Sequence, residues 1–181
     1  MDGGNIVLDI LYRRRSIRKY KVTKLDPAIV QQLVKAALLS PSSKKNQPWQ
    51  FIVVEDTEVL KQLALAKKGA GFLKKAPLGI VILADPAISD VWVEDAAIAA
   101  TILHLTAEAL KLGSCWIQIR ERQFTETESC EDYIRRILEI PENLKVASII
   151  AIGYPDETKP PYSDRNLLFD RVYLNKYGSK F

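Results

Sequence analysis

Apolar positions in this chain recur with two different periods. Residues 6–13 place Ile6, Leu8, Ile10 and Leu11 within two helical turns and predict a short helix. Asp26-Pro27 predicts the start of a clearer one, with Asp26 capping free N–H groups and Pro27 at the first helical position. Ile29, Val30, Leu33, Val34, Ala37 and Leu38 then form one apolar face, which Pro41 ends. Further helices are expected around 59–64, over 93–112 and over 128–139, with Gly113 as a left-handed cap on the longest. Between these lie apolar runs at 51–54, 78–84, 114–119 and 146–152. They lack polar alternation, so they predict strands covered on both faces, with helices flanking a central sheet in three layers. After Gly153-Tyr154-Pro155 the pattern dissolves into an irregular tail.

The length of 181 residues suits a single domain, and a hydrophobic content of 48% suffices for a substantial core. No signal peptide and no membrane-length apolar run is recognisable, and Cys115 and Cys130 read as reduced thiols, so a cytoplasmic protein is expected. One His and two distant Cys argue against a zinc site. The net charge of +4 suits an anionic small molecule or cofactor.

Four segments carry candidate chemistry. Residues 13–21 hold six cations, Arg13, Arg14, Arg15, Arg18, Lys19 and Lys21, around Ser16. Cations with a hydroxyl among them suit a phosphate, but a solvated basic face at a helix C-terminus has the same composition, and a nucleic-acid contact is a third reading. Pro41-Ser42-Ser43 through Gln47-Pro48-Trp49 is a polar loop closed by an aromatic, equally readable as a plain helix-to-strand connection. Gly113-Ser114-Cys115-Trp116-Ile117-Gln118 opens a strand, and Pro160-Pro161-Tyr162-Ser163-Asp164-Arg165 lies in the tail. His104, between Leu103 and Leu105, reads as a buried structural residue. Glu94 and Asp95 read as charges favoured at a helix start. Cys115 has no neighbouring base to make it a nucleophile.

The order and spacing of these four segments resemble the FMN-dependent nitroreductase family along nearly the whole chain. The resemblance implies an α+β fold in three layers, with a mainly antiparallel central sheet flanked by helices. It implies one domain over 1–181, whose C-terminal arm from about 155 wraps a second copy in an intertwined homodimer. FMN would lie at the subunit interface. Carried over by position, Arg14 and Arg18 would contact its phosphate, Ser16 would add a hydroxyl, and Arg15 would lie along the ribityl chain or ring edge. Pro41, Ser42 and Ser43 would cover the ring from the other subunit. The backbone at Ile117 and Gln118 would run under the flavin, and Arg165 would return to the phosphate. The family often has Gly at the position of Gln118, so this side chain is expected to narrow or polarise the pocket. The implied activity is hydride transfer from NAD(P)H through flavin N5 to a nitro, quinone or similar small-molecule acceptor in a ping-pong cycle. A flavin reductase or ring desaturase on the same scaffold is the alternative, with a basic nucleic-acid-binding module behind it. Neither a nucleic acid nor a membrane is an expected partner.

Overall fold

A computed structural model of the chain describes residues 5–181. Its helices are α1 (Ile6–Arg13), α2 (Pro27–Leu38), α3 (Thr57–Leu63), α4 (Trp92–Ala109) and α5 (Cys130–Leu138). Its strands are β1 (Trp49–Val54), β2 (Leu78–Ala84), β3 (Gly113–Gln118) and β4 (Lys145–Gly153). Side-chain oxygens fix several starts: Asn5 caps α1, Asp26 caps α2, Asp56 caps α3 and Ser129 caps α5.

The strands form one antiparallel sheet in the order β1-β2-β4-β3. Consequently β2 and β4 are central, while β1 and β3 are edges. Every residue of β2 is buried, as a strand covered on both faces requires. Alternation then sorts its side chains. Val81 and Leu83 pack with Leu60 and Leu63 of α3 and Ile134 of α5. Leu78, Ile80 and Ile82 pack with Leu33 of α2 and Leu103 of α4. Two helix layers therefore sandwich the sheet, and the fold is α+β in three layers as expected. Each fully buried Leu or Ile contributes about 1.5–3 kcal/mol to this arrangement.

Two expectations change. Gly113 does not cap α4 in a left-handed conformation; Lys111 takes the positive φ of 59° instead. Gly113 is small for another reason: a Cβ there would lie 2.7 Å from Ile17 Cβ. Strand β1 begins at Trp49, two residues before the apolar run, because Trp49 and Gln50 pair with Ala84 and Leu83 of β2. No helix of the described residues is long and apolar enough to cross a membrane.

Candidate active site

The basic loop leaves α1 in an extended path and is stitched to two other segments. Ile17 N–H donates to the Ser114 carbonyl at 3.0 Å, and Ser16 pairs with Ser114 in a short parallel bridge. On the other side, Lys21 N–H donates to the Tyr154 carbonyl and Asp156 N–H to the Lys19 carbonyl, both at 2.9 Å. Tyr20 is buried and its hydroxyl donates to the Ile17 carbonyl at 2.5 Å. The Glu157 carboxylate accepts from the backbone N–H groups of Arg18 and Lys19, the second at 3.2 Å. The Arg18 N–H is the main reason its pKa lies below the ordinary carboxylate range. The loop is thus a fixed element at one edge of the sheet.

Below this loop, His104 Nδ1 meets Ser114 Oγ at 2.7 Å, and its ring stacks near that of Trp116 with centroids 6.3 Å apart. Burial, and then the nearby Arg14 charge, lowers the His104 pKa to about 4, so the imidazole is neutral near pH 7. It braces β3, in the structural role expected. Both cysteines are buried, and burial raises both thiol pKa values despite Arg18 and Lys159 beside Cys115.

Strand β3 has β4 on one side and, beyond the Ser16 bridge, no strand on the other. Ser114 turns its carbonyl to the basic loop, on the free side. The two-residue alternation turns the backbone groups of Trp116 and Gln118 to that same side. Here Arg18, Trp116 and Ile117 line a pocket of about 130 Å³ together with Lys67, Lys68 and Phe72. The Arg18 guanidinium lies 5.8 Å from the centre of the Phe72 ring. The Gln118 side chain is engaged along its own strand, accepting from Trp116 Nε1 at 2.9 Å and donating to the Arg120 carbonyl at 2.9 Å. It does not line this pocket.

The Pro-Ser loop lies elsewhere. Ser43 N–H donates to Asp95 Oδ1 at 2.8 Å, and Ser89 Oγ donates to Asp95 Oδ2 at 2.8 Å. Gln47 N–H closes the loop on Ser42 Oγ at 2.9 Å, and Lys44, Lys45 and Gln47 all have positive φ. Trp49 then buries its ring against Phe51. Asp95 sits near the start of α4, whereas the basic loop meets the end of that helix through the Arg13–Glu108 ion pair at 3.3 Å. The axial separation from Asp95 to Glu108 is about 20 Å. One chain therefore brings Arg18 and Ile117 together in one pocket, while Arg13, at the start of the basic loop, and Ser43 are anchored about 20 Å apart along α4.

The C-terminal segment folds back over the start of the basic loop. Arg15 stacks on the Tyr162 ring at 4.6 Å and donates to the Pro160 carbonyl, while Lys159 Nζ donates to the Ser16 carbonyl. Tyr12 donates to Asp164, which leaves Arg165 exposed beside Tyr12 and Tyr162. Arg14 and Arg165 make none of the ion pairs found among the described residues. Farther out, Leu167, Leu168, Phe169, Val172 and Leu174 are exposed, as are Ile6, Val7 and Leu8 of α1.

Sequence reasoning missed three contributors. Asp95 is a buried carboxylate that holds a loop. Glu157 sits unannounced in the tail. The segment Lys67-Lys68-Gly69-Ala70-Gly71-Phe72 walls the pocket, and its lysines around two glycines were the available signal.

The profile of the nitroreductase family matches residues 11–70 and 64–154. The chain belongs to that family. An FMN-dependent nitroreductase of Clostridium difficile R20291 has the same fold, with a TM-score of 0.92 and 46% identity over 94% of this chain and 99% of that one. An Archaeoglobus fulgidus protein provisionally named NADH dehydrogenase/NAD(P)H nitroreductase is 37% identical, over 94% of this chain and 98% of its own length. The FMN reductase [NAD(P)H] of Bacillus subtilis is 26% identical, over 95% of this chain and 76% of its own length. Two of these relatives carry FMN in their names and two carry NAD(P)H. The donor set fits FMN: Arg14 offers a cation without an ion-pair partner among the described residues, Ser16 offers a hydroxyl beside it, Arg18 walls a pocket, and the backbone of β3 presents its free edge there.

Proposed function

We propose that this nitroreductase-family protein works as a homodimer that passes a hydride from NAD(P)H to a nitro, quinone or similar acceptor in a ping-pong cycle. Bound FMN supplies the hydride-accepting and hydride-donating centre, at N5 of its ring. The chain supplies position and charge. Arg14 and Ser16 hold the phosphate, with Arg165 closing on it from the arm. Because Arg18 lines the pocket beside Trp116 and Ile117, it presents its guanidinium to the electron-rich end of the ring system instead of the phosphate, and a fixed cation there favours negative charge. The backbone N–H of Gln118, turned to the free edge of β3, donates to the ring edge. Pro41, Ser42 and Ser43 serve the site of the second protomer.

The observation that carries this reading is that Arg13, at the start of the basic loop, and Ser43, in the Pro-Ser loop, are anchored at opposite ends of α4, through Glu108 and Asp95. A second chain would bring its own Pro-Ser loop to the Arg18 pocket. The exposed apolar residues of α1 and of 167–174 give such a dimer surface to bury. No acid–base dyad is required, which agrees with a lone histidine held neutral against Ser114. Membership of the nitroreductase family disfavours the nucleic-acid reading.

The test joins three measurements on the purified protein. Its absorbance after FMN loading and desalting should show about one retained flavin per chain. Its mass in solution should be that of a dimer. Initial rates with NAD(P)H and nitro, quinone and free-flavin acceptors should give parallel double-reciprocal lines. A monomer that retains FMN would overturn the two-chain site, and intersecting lines would overturn the ping-pong order. Free flavin as the best acceptor would favour the flavin-reductase reading.

A further inference from the structure

A second cationic cleft adjoins the Arg18 pocket. It measures about 300 Å³, and Arg18, Lys19, Lys74, Lys75 and Phe72 line it, with Asp156 as its one acidic wall residue. Phe72 also lines the Arg18 pocket, so the two share a wall. The floor comes from the turn Gly71–Lys75, whose Leu73 is fully buried and so fixes the flanking residues. Lys19, Lys74 and Lys75 make none of the ion pairs found among the described residues.

Like charges crowded in a cleft repel one another, and an apolar wall focuses their field outward. Such a site favours a compact anion that several ammonium groups can approach together. A terminal phosphate monoester, with close to two charges and three free oxygens, answers that description better than a bridging diphosphate does. Lysine suits it too, as a point charge on a flexible stem.

We infer that the Lys19–Lys74–Lys75 cleft receives the 2′-phosphate of the reducing dinucleotide and makes the protein prefer NADPH to NADH. This rests on the flavin reading of the neighbouring pocket. The nicotinamide would then work over the Arg18 pocket while the phosphate at the other end of the dinucleotide anchors in this cleft.

The experiment compares NADP⁺ and NAD⁺ binding by titration calorimetry to FMN-loaded protein, with FMN retention measured in parallel. The variants are Lys74→Ala/Lys75→Ala and, as a control of equal net charge, Lys35→Ala/Lys61→Ala. The wild type should bind NADP⁺ more tightly than NAD⁺ by about tenfold, a charge-assisted contact's worth. The Lys74/Lys75 variant should lose that gap and retain FMN, while the control keeps both. Equal affinities in the wild type, a gap that survives in the variant, or an equal loss in the control would overturn the inference. Loss of FMN by the wild type would instead overturn the flavin reading, and the dinucleotide affinity ratio would still decide the cleft.

Discussion

The buried carboxylate of Asp95 accepts the Ser43 backbone N–H at 2.8 Å and so ties the Pro-Ser loop to the start of α4. Its other oxygen is taken by Ser89. Replacing Asp95 with Ala would leave an N–H and a hydroxyl without their acceptor in a dry place, at a cost of about 1–3 kcal/mol. The expected outcome for Asp95→Ala is a lower urea midpoint, with weaker FMN retention if the loop serves a flavin. An unchanged midpoint would show that this carboxylate does not hold the loop.

Arg18 is shared by two pockets and is backed by Phe72. A charge-assisted hydrogen bond is worth about 1.5–3 kcal/mol. Arg18→Ala should therefore raise the FMN dissociation constant by about 10- to 150-fold. Fluorescence quenching of added FMN would measure it. Arg18→Lys should recover part of the loss, since it restores charge without the guanidinium fork.

Acid should weaken the fold through His104. Folded, its pKa is about 4 because the ring is buried; unfolded, it returns to about 6.5. The unfolded chain therefore takes up this proton first as pH falls. The contribution is intact above pH 6.5 and is lost progressively from there down to pH 4, by up to about 3 kcal/mol. Urea midpoints at pH 7.5 and 5.0 should differ in the wild type, and His104→Gln should shrink that difference.

Gly113 lies against the Ile17 side chain, with 2.7 Å between Ile17 Cβ and any Cβ added at the glycine. Gly113→Ala must push the basic loop away from β3, an overpacking that costs about 1–3 kcal/mol. Both thermal stability and FMN retention should fall. A comparable fall in stability with FMN retention intact would separate the loop's packing from cofactor binding.

The fold was largely legible in the sequence because its strands are unbroken apolar runs such as Ile80 to Ala84, and helix starts such as Asp26-Pro27 carry their own signals. Strand β1 was clipped at its start because Trp49 and Gln50 pair without looking like strand interior. Asp95 does lie in the first turn of α4, as read, but its loop contact was not legible. An acid in a helix's first turn looks alike whether it faces water or a buried loop, and only tertiary contact distinguishes the two. Arg18 stood out as part of a dense cluster. The Phe72 wall did not, because its neighbourhood with Ile117 joins residues distant in sequence. Gly113 was recognised as special, but a close approach and a left-handed cap both call for glycine, and periodicity cannot separate them.

Helix α4 spaces the anchors of Ser43 and Arg13 about 20 Å apart within one chain. In the proposed homodimer, cofactor content becomes a matter of dilution. A protein whose flavin cage closes only when two chains meet should shed flavin as it is diluted through its dimer constant. By the same mass action, saturating flavin should hold the pair together at concentrations where the bare chains part.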